Sequence, residues 1–278
     1  MNKKQKIIDY IIVFIMSLLT VAFLAPIFII LLNSFKGKFF IAEAPFKLPG
    51  NDTFVGLQNY IDGIAKTGII QSFGWSLFIT VFSVLVIIVA TSMTAWYTSR
   101  QNNNFNKGLY YLFTFSMIVP FQMVMFTMSK MANVLHLDNP LGIIVIYLGF
   151  GAGLSVFTFT GFVKTIPIEI EESAMMDGCK PLQTYFKVVF PILRPTAISV
   201  AILNAMWIWN DYLLPYLVIG TKYKTIPIAI QYLKGGYGSI DMGAMMAMLI
   251  LAIVPIIIFY LICQKYIIKG VVEGAVKF

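Results

Sequence analysis

Few residues in this 278-residue chain are placed to do chemistry, and Asp211 is the first of them. It ends the segment Asn204-Ala-Met-Trp207-Ile-Trp209-Asn210-Asp211, and it is the one acid deep within a long apolar stretch. A carboxylate at membrane depth is costly unless it is paired or faces water. Tryptophan offers a flat apolar face to a sugar ring, while Asn210 and Asp211 suit its hydroxyls. On that reading the chemistry is noncovalent holding of a polyhydroxylated solute. An interfacial aromatic belt with a helix-end acid accounts for the same residues, and both readings stand. Gln122, a polar side chain in another apolar run, joins Trp207, Trp209, Asn210 and Asp211 as a substrate-pathway candidate.

A second polar stretch, residues 164–195, has the clearest local design. Pro167 suits a helix start, where its missing N–H is not needed. Glu169, Glu171 and Glu172 follow, placing negative charge at the positive end of the helix dipole. Gly178 can end that helix in a left-handed conformation. Pro181 can open a second short helix, which Pro191 and Pro195 then close. The segment reads as helix, tight bend, helix.

Other chemistry is poorly supported. His136 is the single histidine, and it has no nearby cysteine or carboxylate cluster, so no metal site is expected. Cys179 and Cys263 have no zinc spacing and read as structural thiols. No Gly-x-x-x-x-Gly-Lys-Ser/Thr loop occurs, so the chain has no ordinary ATP site.

The elements that must position these residues are membrane spans. Hydrophobic residues make up 59% and charged ones only 12%, about half the charge of an average soluble domain. The net charge of +8 then suits loops facing anionic lipid, and nothing supports nucleic-acid binding. The first apolar run, residues 7–32, covers about 39 Å at the helical rise, too long for a signal peptide. Further spans are expected at about 74–96, 109–128, 141–163, 197–219 and 242–262, with Pro120 interrupting the third. Gly149-x-x-x-Gly153 in the fourth permits close helix approach. Residues 33–73 form a partly irregular outer loop, in which Phe54, Leu57 and Tyr60 lie along the membrane surface. Lysines 3, 4 and 6 place the N-terminus in the cytoplasm, and six spans return the C-terminus to the same side. The expectation is one all-α, polytopic transmembrane domain over residues 1–278.

Glu172-Ser173-Ala174, three residues, Gly178, nine residues and Val188-Val189-Phe190-Pro191 resemble the Glu-Ala-Ala…Gly…Ile-x-Leu-Pro loop of ABC importer permeases. Ser173 stands for the first alanine, and Val188 and Phe190 for the apolar pair. Trp209-Asn210-Asp211-Tyr212-Leu213-Leu214-Pro215 is similar to a segment of the carbohydrate-uptake branch, close to the maltose-type second permease. Lys224-Thr-Ile-Pro227 with Gly235-Gly236-Tyr237, Met246-Ala247 with Pro255, and the tail through Gly274-Ala275-Val276-Lys277 fit that branch.

The resemblance implies a type I importer permease fold with a cytoplasmic coupling helix. Glu171, Glu172, Ser173, Ala174, Asp177, Gly178 and Pro191 would then couple to an ATPase. Glu172 would pair with a basic ATPase residue, Ala174 would pack closely and Gly178 would make the bend. Ala275, Val276 and Lys277 would touch the same ATPase. Gly235, Gly236 and Tyr237 would reach into an extracytoplasmic sugar-binding protein. A second, homologous permease is the expected partner, with a homodimer as the alternative. ATP and magnesium would sit on the ATPase, leaving this chain without a cofactor and without catalysis of its own. The expected place is a bacterial cell membrane, in contact with its lipid, and the function is sugar import by alternating access. A non-sugar ABC importer permease and an ion-driven secondary transporter are the alternatives.

Overall fold

The computed structural model describes residues 3–101, 103–231, 233 and 241–275, the side chains at 3–4 and 267–275 excepted. Gly235, Gly236, Tyr237, Val276, Lys277 and the Ala275 side chain lie outside that description. Among the described residues, five helices are long and apolar enough to cross a membrane, and six if one bent pair counts as a single span. The chain divides into two compact units: Met1–Ile70 with Ala229–Pro255, and Gln71–Ile228 with Ile256–Phe278.

In the first unit, α1 (Lys3–Asn33) is a single apolar helix that runs through Pro26. No side chain from residue 5 to residue 30 is buried. The segment that follows is more ordered than its composition suggests. It forms α2 (Lys38–Glu43) and α3 (Gln58–Thr67), with a bridge between Lys36 and Phe54. Tyr60 packs on Phe35 at 5.6 Å, and its hydroxyl meets Ser34 Oγ at 2.8 Å. Its hydroxyl is thereby tied to the end of α1. Asn59 is buried and donates to the carbonyls of Ser34 and Lys36, both at 2.8 Å.

Helix α13 (Met242–Ala275) contributes its part up to Pro255 to this unit. It is longer than the expected 242–262, because nothing after Ile262 forbids helix. Asp241 accepts the N–H of Ala244 at its start and pairs with Lys66 of α3. The bond to Asp241 raises the Lys66 pKa. Partial burial pushes Asp241 upward, but Lys66 and the Ala244 N–H outweigh it and leave the carboxyl below its ordinary value.

The second unit opens with α4 (Ile69–Arg100), which starts and ends beyond the expected 74–96. The third span is not one rod. Helices α5 (Asn104–Ser116) and α6 (Phe121–Val134) are bent by 106°. Pro120 has no N–H to continue the ladder, and it holds the preceding residue away from the helical region. Helix α7 (Pro140–Val163) matches expectation and packs against α5 and α10. Its cap is Asn139, whose Oδ1 accepts the N–H groups of Leu141 and Gly142.

The glycines of α7 differ in what stands against them. A Cβ on Gly153 would sit 2.7 Å from Ser116 Oγ and 2.8 Å from the Phe113 carbonyl, whereas one on Gly149 would meet nothing. Only the second glycine of the Gly149-x-x-x-Gly153 pair is thus a close approach within the chain. Gly153→Val is expected to destabilise the protein by about 2 kcal/mol, since backbone on α5 cannot yield. Gly149→Val should leave the detergent melting temperature unchanged. Equal melting of the two variants would contradict this packing.

The fifth span departs furthest from expectation. Helix α9 (Pro181–Thr184) runs into a π-helical turn, Tyr185–Val189, and then into α10 (Phe190–Asn210). Pro191 and Pro195 were expected to close a short helix, yet the helix continues through both. A proline normally clashes with the carbonyl four residues back. The wider turn answers this before Pro191: the Phe190 N–H reaches back to the Tyr185 carbonyl, and Pro191 falls in the first turn of α10, where no N–H is needed. The span ends at Asn210 rather than at 219. Helices α11 (Leu213–Val218) and α12 (Ile226–Gln231) follow it.

Candidate functional site

Two groups of residues in the second unit carry the functional candidates. The first is the 164–195 loop. Helix α8 (Ile168–Met176) begins after Pro167, with Glu169 and Glu171 in its first turn. It ends as expected at Gly178, whose φ is +86°. The Gly178 N–H bonds the Met175 carbonyl and the Cys179 N–H bonds the Ala174 carbonyl, both at 3.0 Å. That pair of bonds satisfies the last carbonyls of α8 and fixes the direction of the turn. The Lys180 N–H then bonds Gln183 Oε1, and α9 begins at Pro181.

Neighbouring residues on a helix point about 100° apart, so the acidic pair cannot share a face. Glu172, Ser173, Asp177 and Gly178 are exposed, and Ala174 is half-buried. Glu171 is only 2% exposed. Unlike the other coupling candidates it is turned inward: its carboxylate is held by Arg100 and Trp96 of the same chain. Pro191 is exposed at the start of α10.

Around Glu172, the loop shows apolar side chains that sequence reasoning did not single out. Met176 is 88% exposed, and Leu182, Phe186 and Ile168 are also exposed. An apolar side chain four residues after Glu172 was the available signal for Met176, since i and i+4 share a face.

The second group lies where α7 meets the end of α10. Asp211 Oδ2 accepts the Tyr147 hydroxyl at 3.1 Å, and Oδ1 accepts the N–H of Leu213 at 3.1 Å. Asp211 thereby caps α11 while it ties α10 to α7. The Trp207 ring stands edge-on to Tyr147 with centroids 5.4 Å apart. Tyr147 itself is fully buried and joins Trp207 to Asp211. Sequence reasoning missed it. Its signal was the one hydroxyl in the apolar stretch between Pro140 and Leu154, four residues from Ile143 and from Gly151.

The remaining candidates do not converge on this point. Trp209 turns to Phe73, with centroids 5.7 Å apart, because two helical positions carry it to the opposite face from Trp207. Asn210 is exposed and donates back to the Met206 carbonyl. Gln122 stands exposed in the first turn of α6. Among the described residues, no group of three or more His, Cys, Asp or Glu side chains could hold a metal.

Apolar spans joined by an exposed helical elbow define a polytopic, all-α membrane protein. Residues 87–273 match the family described as binding-protein-dependent transport system inner membrane component, and the chain belongs to that family. It is 37% identical to the probable starch degradation products transport system permease protein AmyC of Thermoanaerobacterium thermosulfurigenes, over 99% of each chain. It is 35% identical to the multiple sugar-binding transport system permease protein MsmG of Streptococcus mutans, over 99% of this chain and 100% of that one. A bacterial ABC transporter involved in the import of the acidic polysaccharide alginate shares the fold. That match has a TM-score of 0.79 and 22% identity, and it covers 96% of this chain and 98% of that one.

Proposed function

We propose that this chain is a permease subunit of an ATP-driven importer that brings a sugar, a di- or oligosaccharide, into the bacterial cytoplasm. Loop 164–195 would face the cytoplasm and dock on a dimeric ATPase. The observation that carries this reading is the exposed face of the elbow. Glu172 and Met176 stand exposed on α8, a short helix whose end is locked at Gly178, and Leu182 stands exposed just beyond the bend on α9. A rigid, partly apolar, partly charged knob of this kind suits a groove on a separate protein. The sugar assignment rests on the names of two full-length relatives at 35% identity or more.

The mechanism would be alternating access. Closing of the ATPase dimer moves the elbow, and the spans rock to open a pathway outward; reopening returns it to the cytoplasm. ATP and magnesium would stay on the ATPase, and an extracytoplasmic binding protein would deliver the sugar. The bare sides of α1 support a place against a second, homologous permease or against lipid. Both termini would lie in the cytoplasm. Trp207, held at its edge by Tyr147, is the aromatic face best placed to meet the solute.

The test is uptake into proteoliposomes that contain this chain, its genomic neighbours of the permease and ATPase types, and the neighbouring binding protein. Labelled maltose, maltotriose and raffinose are the probes. Uptake of at least one of them is expected only with enclosed ATP. Uptake driven by a proton or sodium gradient without ATP would overturn the reading.

A further inference from the structure

Helix α4 carries Ser92, Trp96 and Arg100 at intervals of four residues, so the three side chains form one stripe along its face. Every member of that stripe grips the 164–195 loop. Arg100 donates to Glu171 Oε1 twice, from Nε at 2.9 Å and from Nη2 at 2.6 Å. Nη2 also donates to the Ile166 carbonyl at 2.9 Å, just ahead of α8. Trp96 donates its indole N–H to Glu171 Oε2 at 2.8 Å. Its ring also lies 5.4 Å from that of Tyr185, the first residue of the π-helical turn. Ser92 Oγ meets the Tyr185 hydroxyl at 2.6 Å. Ser92 and Tyr185 are fully buried, and Glu171 nearly so.

Two features of this arrangement exceed what stability requires. A buried ion pair is weak as a stabiliser, because an apolar pair of similar volume often does as well. Here the pair is nevertheless built with three donors on one carboxylate, which fixes its direction as well as its position. The stripe also reaches both arms of the elbow, α8 through Glu171 and the α9–α10 arm through Tyr185. A load applied to the exposed face of α8 is therefore passed to α4 without a flexible joint between them. The π turn is where the second arm meets the stripe, as such turns often mark functional positions.

We infer that the Ser92–Trp96–Arg100 stripe, through Glu171 and Tyr185, is the link that carries the elbow's motion into the span α4. Glu171 is on this view a positioning residue for coupling and not a contact of the ATPase. The inference rests on the transporter reading above and adds the route by which its stroke enters the bundle.

The test uses the assembled complex in proteoliposomes and reads sugar uptake and ATP hydrolysis together. Tyr185→Phe removes the hydroxyl and keeps the ring, while Trp96→Phe removes the indole N–H and keeps an aromatic, though smaller, side chain. Each is expected to lower uptake per ATP about fivefold, at the small end of coupling effects. Glu171→Gln keeps shape and removes charge, and is expected to lower the ratio about tenfold or more. All three should still bind and activate the ATPase. An unchanged ratio in Trp96→Phe and Tyr185→Phe would overturn the inference, whatever becomes of Glu171→Gln. Loss of ATPase binding in Glu171→Gln with normal membrane insertion would also overturn it, since Glu171 would then act in docking. Absence of ATP-driven uptake by the unaltered complex would instead strike the transporter reading itself.

Discussion

Met176→Asp is expected to abolish ATP-driven uptake while the protein still reaches the membrane at its normal level. Met176 is 88% exposed and lies one helical turn beyond Glu172, so both belong to the surface proposed to enter the ATPase. Full burial of a methionine at an interface contributes roughly 1.5–3 kcal/mol. An aspartate there loses that contribution and adds a desolvated, unpaired carboxylate. A combined loss of about 4 kcal/mol would weaken docking roughly a thousandfold. Own-chain stability should hardly change, because so little of this side chain is buried within its own chain. Glu172→Ala on the same face should cost less, since it removes one charge partner and buries nothing new. The measurement is co-purification of the ATPase with the tagged permease, alongside uptake. Normal co-purification with Met176→Asp would remove α8 from the docking surface.

Gly243→Val is the second large effect, and it acts on the fold rather than on a partner. A Cβ at Gly243 would run into the Asn59 side-chain amide. Asn59 cannot swing aside freely, because its Nδ2 holds the carbonyls of Ser34 and Lys36. Lys36 is itself buried and donates to the Ala44 carbonyl, so the disturbance reaches the whole turn after α1. Overpacking costs about 1–3 kcal/mol, and each buried polar group left unpaired about as much again. Roughly 4 kcal/mol is a large share of the 5–15 kcal/mol that holds a typical domain folded. The expected result is a strong fall in membrane abundance and in detergent melting temperature. Gly74→Val, at a glycine with open space around it, is the control. Wild-type abundance of Gly243→Val would show that Asn59 is not a keystone of this unit.

Much of the fold is legible in the residues alone, for a simple reason. In lipid every backbone polar group must be satisfied within its own segment, so long apolar runs have to be helices. That is why α7 falls where its apolar run does. The bend at Gly178 was equally legible, because a glycine after a helix of this composition has one inexpensive role. Local rules failed where a neighbour or a change of helical pitch intervened. Pro191 and Pro195 look like stops, yet the helix runs through both, and the π turn before Pro191 accommodates the first of them. Tyr60 has no local pattern that would announce its contacts with Ser34 and Phe35.

The candidate sites divide in the same way. Residue types and spacing by themselves determined that this chain crosses a membrane, that its main polar stretch is helix, bend, helix, and that Asp211 is a costly carboxylate in need of partners. Only the tertiary structure decided which partners those are. Glu171 and Glu172 are neighbours of identical type, yet one is buried against Arg100 and Trp96 and the other is exposed. Trp207 and Trp209 likewise part company, one toward Tyr147 and the other toward Phe73. Helical periodicity says that such neighbours must differ, but it does not say which of them faces the protein. That choice belongs to contacts with residues far away along the chain, 71 and 75 positions for Glu171, where no local pattern can record it.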